Sequence, residues 1–134
     1  MATIVPHKYR IITLSQTDFS SLKLSKELLK NVESLGYTEM TPIQAQSLPA
    51  ILKGEDLIGQ AKTGSGKTAA FGLGILENLD LESLNIQSLL LCPTRELADQ
   101  VGKVIRQLAR TLPNVKVVSL CGGMPFRDQV KSLS

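Results

Sequence analysis

Apolar positions recur along this chain with two periods. From Ser25, Leu28, Leu29, Val32 and Leu35 fall on one face of a helix, and Gly36 follows as its C-terminal stop. A second helix is predicted to open at Thr41-Pro42-Ile43-Gln44. Here a capping threonine, a proline at the first helical position and a glutamine three residues after the cap form a start signal; the helix runs to about Leu52 and stops near Gly54. Strand-length apolar runs then alternate with helical stretches. Residues 56–60 read as a short strand, 69–76 as a helix, and 85–92 as a buried parallel strand ended by Pro93. The next helix carries Leu97, Val101, Val104, Ile105, Leu108 and Leu112 on its apolar side, with Lys103, Arg106 and Arg110 on a solvated face. Pro113-Asn114 turns the chain into a strand-like 115–121, and Gly122-Gly123 precedes a last polar segment.

The sum is β-α-β-α-β with two helices in front, which predicts an α/β fold: a parallel sheet with helices on both faces and ligands at the carboxyl ends of the strands. The loops at 61–68, 93–98 and 122–123 all follow strands and are expected to share that rim. Residues 1–18 show no sustained period and read as an irregular N-terminal extension, in which 9–14 is the stretch fit for a short strand or extended arm. No internal repeat interrupts the pattern.

Composition narrows this picture only slightly. At 134 residues the chain is one domain at most, and 43% hydrophobic content with 4% aromatic and no Trp suits an aliphatic α/β core. A net charge of +3 permits nucleic-acid contact, but no dense Lys/Arg block argues for it. Cys92 and Cys121 fit no zinc spacing and read as reduced, buried thiols of a cytoplasmic protein. No signal peptide is recognisable, and no apolar run approaches the roughly 18 residues of a membrane span.

The chemistry is concentrated in Ala61-Lys62-Thr63-Gly64-Ser65-Gly66-Lys67-Thr68. A phosphate cradle needs backbone N–H groups turned to one centre, a helix N-terminus behind them, and glycines where a side chain would block close approach. Gly64 and Gly66 supply that freedom, Lys67 reaches the β- and γ-phosphates, and the Thr68 hydroxyl joins a Mg²⁺ shell. Ala61 stands where the general pattern has glycine. The alternative is a glycine-rich surface turn, which the strand-loop-helix order disfavours.

Residues 36–44, 61–68, 93–98 and Gly122-Gly123 together resemble four ordered motifs of DEAD-box ATP-dependent RNA helicases, and the runs 60–74, 91–101 and 120–126 are similar to the bacterial DbpA branch. The resemblance covers 19–134. It implies the N-terminal portion of a RecA-like P-loop NTPase domain that uses ATP and Mg²⁺, with Lys67 and Thr68 as the catalytic groups within this stretch. It implies that Gln44 reads the adenine edge and that Phe19, seventeen residues before Gly36, packs on the adenine ring. It also implies that Pro93, Thr94, Arg95, Gly122 and Gly123 contact the RNA backbone, ribosomal RNA being the target in that branch, while Glu96 is structural. Capping readings stand beside these: Gln44 also completes a capping box, Phe19 also suits a staple, and Thr94 also suits a helix cap.

The 134 residues contain neither the family's Asp-Glu-Ala-Asp segment nor its Ser-Ala-Thr segment. The expectation is therefore an incomplete sheet with unpaired strand edges, and a chain that by itself neither hydrolyses ATP nor unwinds RNA. A non-catalytic ATP- or RNA-binding module is the alternative from another class. A small P-loop kinase is disfavoured by Gln44 and the 93–98 segment. No obligate protein partner and no membrane contact is expected.

Overall fold

A computed structural model of the protein describes residues 3–4 and 17–133. Five helices carry it: α1 (Lys26–Ser34), α2 (Pro42–Ile51), α3 (Lys67–Glu77), α4 (Arg95–Leu108) and α5 (Phe126–Leu133). Two short strands, β1 (Thr3–Ile4) and β2 (Gly59–Gln60), pair antiparallel with Thr3 opposite Gln60 and Ile4 opposite Gly59.

The helix boundaries follow the local signals. Ser25 caps α1 by accepting from the Leu28 N–H, and Gly36 beyond its end takes a φ of +80° that only glycine adopts without strain. Gln44 Oε1 accepts from Thr41 N at 2.9 Å in the capping box that opens α2, where Pro42 needs no N–H. Thr94 caps α4 by accepting from Leu97 N at 3.2 Å.

Helix α3 is the centre of the packing, with α2 on one side and α4 on the other. Its glycines set those distances. A Cβ on Gly74 would lie 2.0 Å from Ile51 Cγ2, and one on Gly72 would lie 2.7 Å from Ile105 Cδ1, so the helices touch where no side chain stands. Leu28 and Val32 of α1, Leu48 of α2, Leu73 and Leu76 of α3, and Ile105 and Leu108 of α4 form one buried cluster with Phe19 and Met40. Asn31 is buried within it. Its Nδ2 donates to the carbonyls of Gln107 and Leu108 at 2.8 and 2.6 Å, satisfying the C-terminal end of α4.

The parallel sheet expected from the sequence does not form among the described residues. Segments 85–92 and 115–121 form no strand, and only two residues of 56–60 pair. The strand at 85–92, expected to be buried, is open instead: Ile86 is 80% exposed and Leu91 87%. The reason is cooperative. A parallel strand is buried only when neighbours satisfy both edges and helices cover both faces, and here the helices pack mainly on one another. The sheet is thus incomplete, as expected, but more completely open than the alternating pattern suggested.

Three further differences are local. Thr3 and Ile4 pair with β2, so the N-terminal segment is not wholly irregular, while the possible strand at 9–14 lies outside the described residues. Arg106 and Arg110 are more than a solvated face. Arg106 Nη2 donates to Val117 O at 3.0 Å, fastening the 115–119 segment to α4, and Arg110 Nη2 donates to Ser34 Oγ at 3.0 Å on α1. The last polar segment is helical, as α5.

Candidate functional site

The glycine loop leaves β2 at Ala61 and enters α3 at Lys67. Gly64 and Gly66 hold φ values of +78° and +92°, in the left-handed region that a side chain disfavours. The loop is fastened to the start of α2: Thr41 Oγ1 donates to Ser65 O at 2.8 Å, and Gln44 Nε2 donates to Gly66 O at 3.2 Å. A Cβ on Gly66 would stand 2.5 Å from Gln44 Nε2 and 3.1 Å from Thr41 Oγ1. The Lys67 ammonium donates to Lys62 O at 2.8 Å and to Ala61 O, folding back over the loop.

What this leaves unpaired is what a phosphate would take. The N–H groups of Gly64 and Gly66 find no acceptor among the described residues, and those of Lys67 and Thr68 open α3, where no preceding turn exists to accept them. The helix dipole adds positive potential at the same end. Within the loop, Ser65 Oγ is buried with no hydrogen-bond partner among the described residues. Ala61, Lys67 and Thr68 are half-buried, whereas Lys62 and Thr63 lie open to solvent.

The two residues assigned to adenine sit deeper than that role requires. Gln44 is 1% exposed, and its amide is bonded at both ends, to Thr41 N and to Gly66 O. Phe19 is 4% exposed, in a 3-10 turn capped by Asp18, with its ring centroid 6.4 Å from that of Tyr37 at a tilt of 52°. In this conformation Gln44 holds the loop and Phe19 belongs to the core.

A second cluster lies at the start of α4. Pro93, Thr94, Arg95 and Glu96 meet Leu120, Cys121 and Gly122 around a cleft of about 490 Å³, also lined by Cys92 and Ala98. Arg95 lies against Gly123, where a Cβ would come within 2.9 Å of Nη1 and 3.1 Å of Nη2, and where φ is +81°. Segments some 27 residues apart are thereby joined by a guanidinium and a side-chain-free turn. Both cysteines are free thiols.

Sequence reasoning missed three polar residues that shape these sites. Thr41 was legible as a cap but not as a donor to the loop. Asn31 carried no signal in the sequence reading. Gln129, whose amide bonds to Cys121 and Met124, lay in a segment with no assigned element.

Strand, glycine loop and helix in this order, with Lys67-Thr68 opening the helix, are the phosphate-binding element of a P-loop NTPase fold. The chain belongs to the DEAD/DEAH box helicase family, whose model matches residues 41–134. Among relatives, it is 58% identical over 118 residues to the ATP-dependent RNA helicase DbpA of Escherichia coli, covering 87% of this chain and 26% of that protein. It is 51% identical over 115 residues to the ATP-dependent RNA helicase CshA of Limosilactobacillus reuteri, covering 86% and 23%. The chain therefore spans about a quarter of the length of these relatives.

Among solved structures, a DEAD box protein from the hyperthermophile Methanococcus jannaschii superimposes with a TM-score of 0.79 at 34% identity, covering 87% of this chain and 32% of that one. The RNA helicase Prp28 from Chaetomium thermophilum bound to ADP superimposes with a TM-score of 0.76 at 36% identity, covering 96% and 32%. The fold is thus part of a RecA-like P-loop NTPase domain, and no helix among the described residues is long and apolar enough to cross a membrane.

Proposed function

We propose that this chain is the nucleotide-binding and RNA-gripping N-terminal part of an ATP-dependent RNA helicase, with 19–134 forming the first portion of its first RecA-like domain and 1–18 an extension. The observation that carries this reading is the loop at 61–68: positive-φ glycines, a helix N-terminus with free N–H groups, and a lysine held over it. The names of the relatives and the ADP in the Prp28 structure support it.

The residues fit the nucleotide. The amides of Gly64, Gly66, Lys67 and Thr68 take phosphate oxygens, Lys67 exchanges its loop carbonyls for the β- and γ-phosphates, and Thr68 gives its hydroxyl to Mg²⁺. Ala61, Lys62, Thr63 and Ser65 shape the loop around them. Bound ATP with Mg²⁺ supplies the phosphoanhydride whose cleavage the whole helicase uses. Adenine selection is assigned to Gln44, through the N–H and lone pair its two bonds leave spare, and to Phe19 once its turn opens.

On the other cluster, Pro93 sets the entry to α4, Thr94 and Arg95 contact RNA phosphates, and Gly122 and Gly123 offer backbone N–H groups beside them. Such contacts hold a backbone without reading bases. Ribosomal RNA as the target rests on the resemblance to the DbpA branch, and a reducing cytoplasm agrees with the two free thiols. Residues 1–134 contain no acidic motif to orient an attacking water, so by themselves they bind nucleotide without turning it over.

Calorimetry with ATP and Mg²⁺ on the wild type and on Lys67→Ala tests the assignment. Binding by the wild type and at least a tenfold loss in the variant is expected, since a charge-assisted contact contributes about 1.5–3 kcal/mol. Equal affinities contradict the phosphate role of the loop.

A further inference from the structure

Helix α5 presents an inverted surface. Phe126, Val130 and Leu133 are exposed, and the single residue of the helix that is half-buried is polar, Gln129. Its amide is used at both ends. Oε1 accepts from Cys121 N at 2.9 Å, while Nε2 donates to Cys121 O at 3.1 Å and to Met124 O at 3.2 Å. Toward Cys121 this is the two-point bonding that a neighbouring strand gives, supplied by a side chain where no strand pairs. Cys121 and Met124 flank Gly122-Gly123, so one amide fastens the turn on both sides.

The turn it fastens is one half of the second cluster. Gly122 and Gly123 have N–H groups without an acceptor among the described residues, and Gly123, at φ +81°, lies under the Arg95 guanidinium. Arg95 is held by α4, which is packed into the core through Ile105 and Leu108. The spacing between the guanidinium and the free amides is therefore set by what holds the turn.

We propose that Gln129 is the positioning residue of the RNA-backbone cleft: by bonding both flanks of the Gly122-Gly123 turn, it holds two free backbone N–H groups against Arg95 so that all three serve the same phosphate. This rests on the reading of the cleft as an RNA-backbone site. Gln129 itself touches no RNA. Without it the turn samples other conformations, and the amides no longer act together with the guanidinium.

The test is a binding cycle on the full chain with single-stranded oligouridylate RNA, read by fluorescence anisotropy at several salt concentrations. It uses Gln129→Ala, Gln129→Glu, Arg95→Ala and the Gln129→Ala/Arg95→Ala pair. Gln129→Glu keeps the acceptor for Cys121 N but turns the two donations into repulsions, which separates orientation from bulk. Each Gln129 variant is expected to weaken binding by about three- to tenfold, the range of one or two lost hydrogen bonds. The loss should largely vanish in the Arg95→Ala background, while the salt slope, set by the charged Arg95 that Gln129→Ala keeps, stays as in the wild type. A merely structural role lowers the competent fraction and adds independently to Arg95→Ala. That result, or wild-type binding by both variants while Arg95→Ala weakens it, overturns the inference and leaves the cleft reading intact. If Arg95→Ala binds like the wild type, the cleft reading fails and this inference with it. Should Gln129→Ala not fold, backbone NMR order parameters at Gly122 and Gly123 in Gln129→Glu decide: unchanged order contradicts the positioning role, and lowered order supports it.

Discussion

Gly66 is where the sequence and the geometry meet most tightly. Its φ of +92° and the 2.5 Å between an added Cβ and Gln44 Nε2 leave room for glycine alone. Gly66→Ala is predicted to cost about 1–3 kcal/mol, measured by denaturant unfolding, because it combines left-handed strain with displacement of a bonded, buried amide. A cost within error of zero contradicts the tight clamp. The glycines, Lys67 and Thr68 were legible because a phosphate cradle demands those residue types in that order. The clamp by Thr41 and Gln44 was not, since a bond between residues 22 apart depends on how α2 packs on α3. Among the described residues, Asp18 is one whose ionisation its surroundings shift. Its carboxylate accepts from Ser20 N at 2.8 Å, and bonding to the Ser20 backbone and then side chain lowers its pKa below the ordinary 3.8. A lowered folded-state pKa means the stabilisation is present above the ordinary value and fades as pH falls through the lowered one. The Phe19 turn is thus expected to loosen only in acid below the ordinary carboxylate value, as Asp18→Ala would loosen it at neutral pH. Carboxyl NMR titration of Asp18 checks this, and a value at or above 3.8 contradicts it.

At the scale of elements, four of the five helices were legible, α5 was not, and the strands were only half so. Caps, proline and glycine are local signals, and α1, α2 and α4 begin and end close to where those residues place them. An apolar run of strand length states that a segment can be extended, but its pairing belongs to its neighbours. Residues 85–92 therefore form no strand and lose the burial expected of them. The three-helix contact of α2, α3 and α4 makes a sharper prediction. Gly74→Ala drives a methyl to 2.0 Å from Ile51 Cγ2 and should cost about 1–3 kcal/mol, whereas adding Ile51→Ala opens that space. The double variant should then lose less than the sum of the two single losses, measured by chemical unfolding. Strict additivity would mean that the helices are not in contact there. Asn31→Ala, leaving the Gln107 and Leu108 carbonyls unpaired, is expected to cost about 1–3 kcal/mol in the same assay.

For the whole molecule, the open strands dominate behaviour in solution. Ile86, Leu89 and Leu91 lie exposed on a segment with free backbone edges, and Leu120, Met124 and Phe126 add a second apolar stretch. Such edges recruit other strands. Isolated, the 134 residues are predicted to associate with rising concentration in light scattering, and Leu89→Lys with Leu91→Lys should suppress this. A monodisperse wild-type sample with a cooperative thermal transition contradicts that expectation. The same scale explains how the fold class survives an unformed sheet. The chain superimposes on a solved DEAD box protein and a solved RNA helicase over 87% and 96% of its length, and α3 and its neighbours are fixed by their own packing into one helical layer. Amide NMR during titration with ATP and Mg²⁺ tests most directly whether this layer presents a nucleotide cradle at Gly64–Thr68. The largest shifts are predicted at Gly64, Gly66, Lys67 and Thr68, with smaller ones at Gln44. Shifts confined to Thr94, Arg95, Gly122 and Gly123, or no saturable shifts, would contradict it.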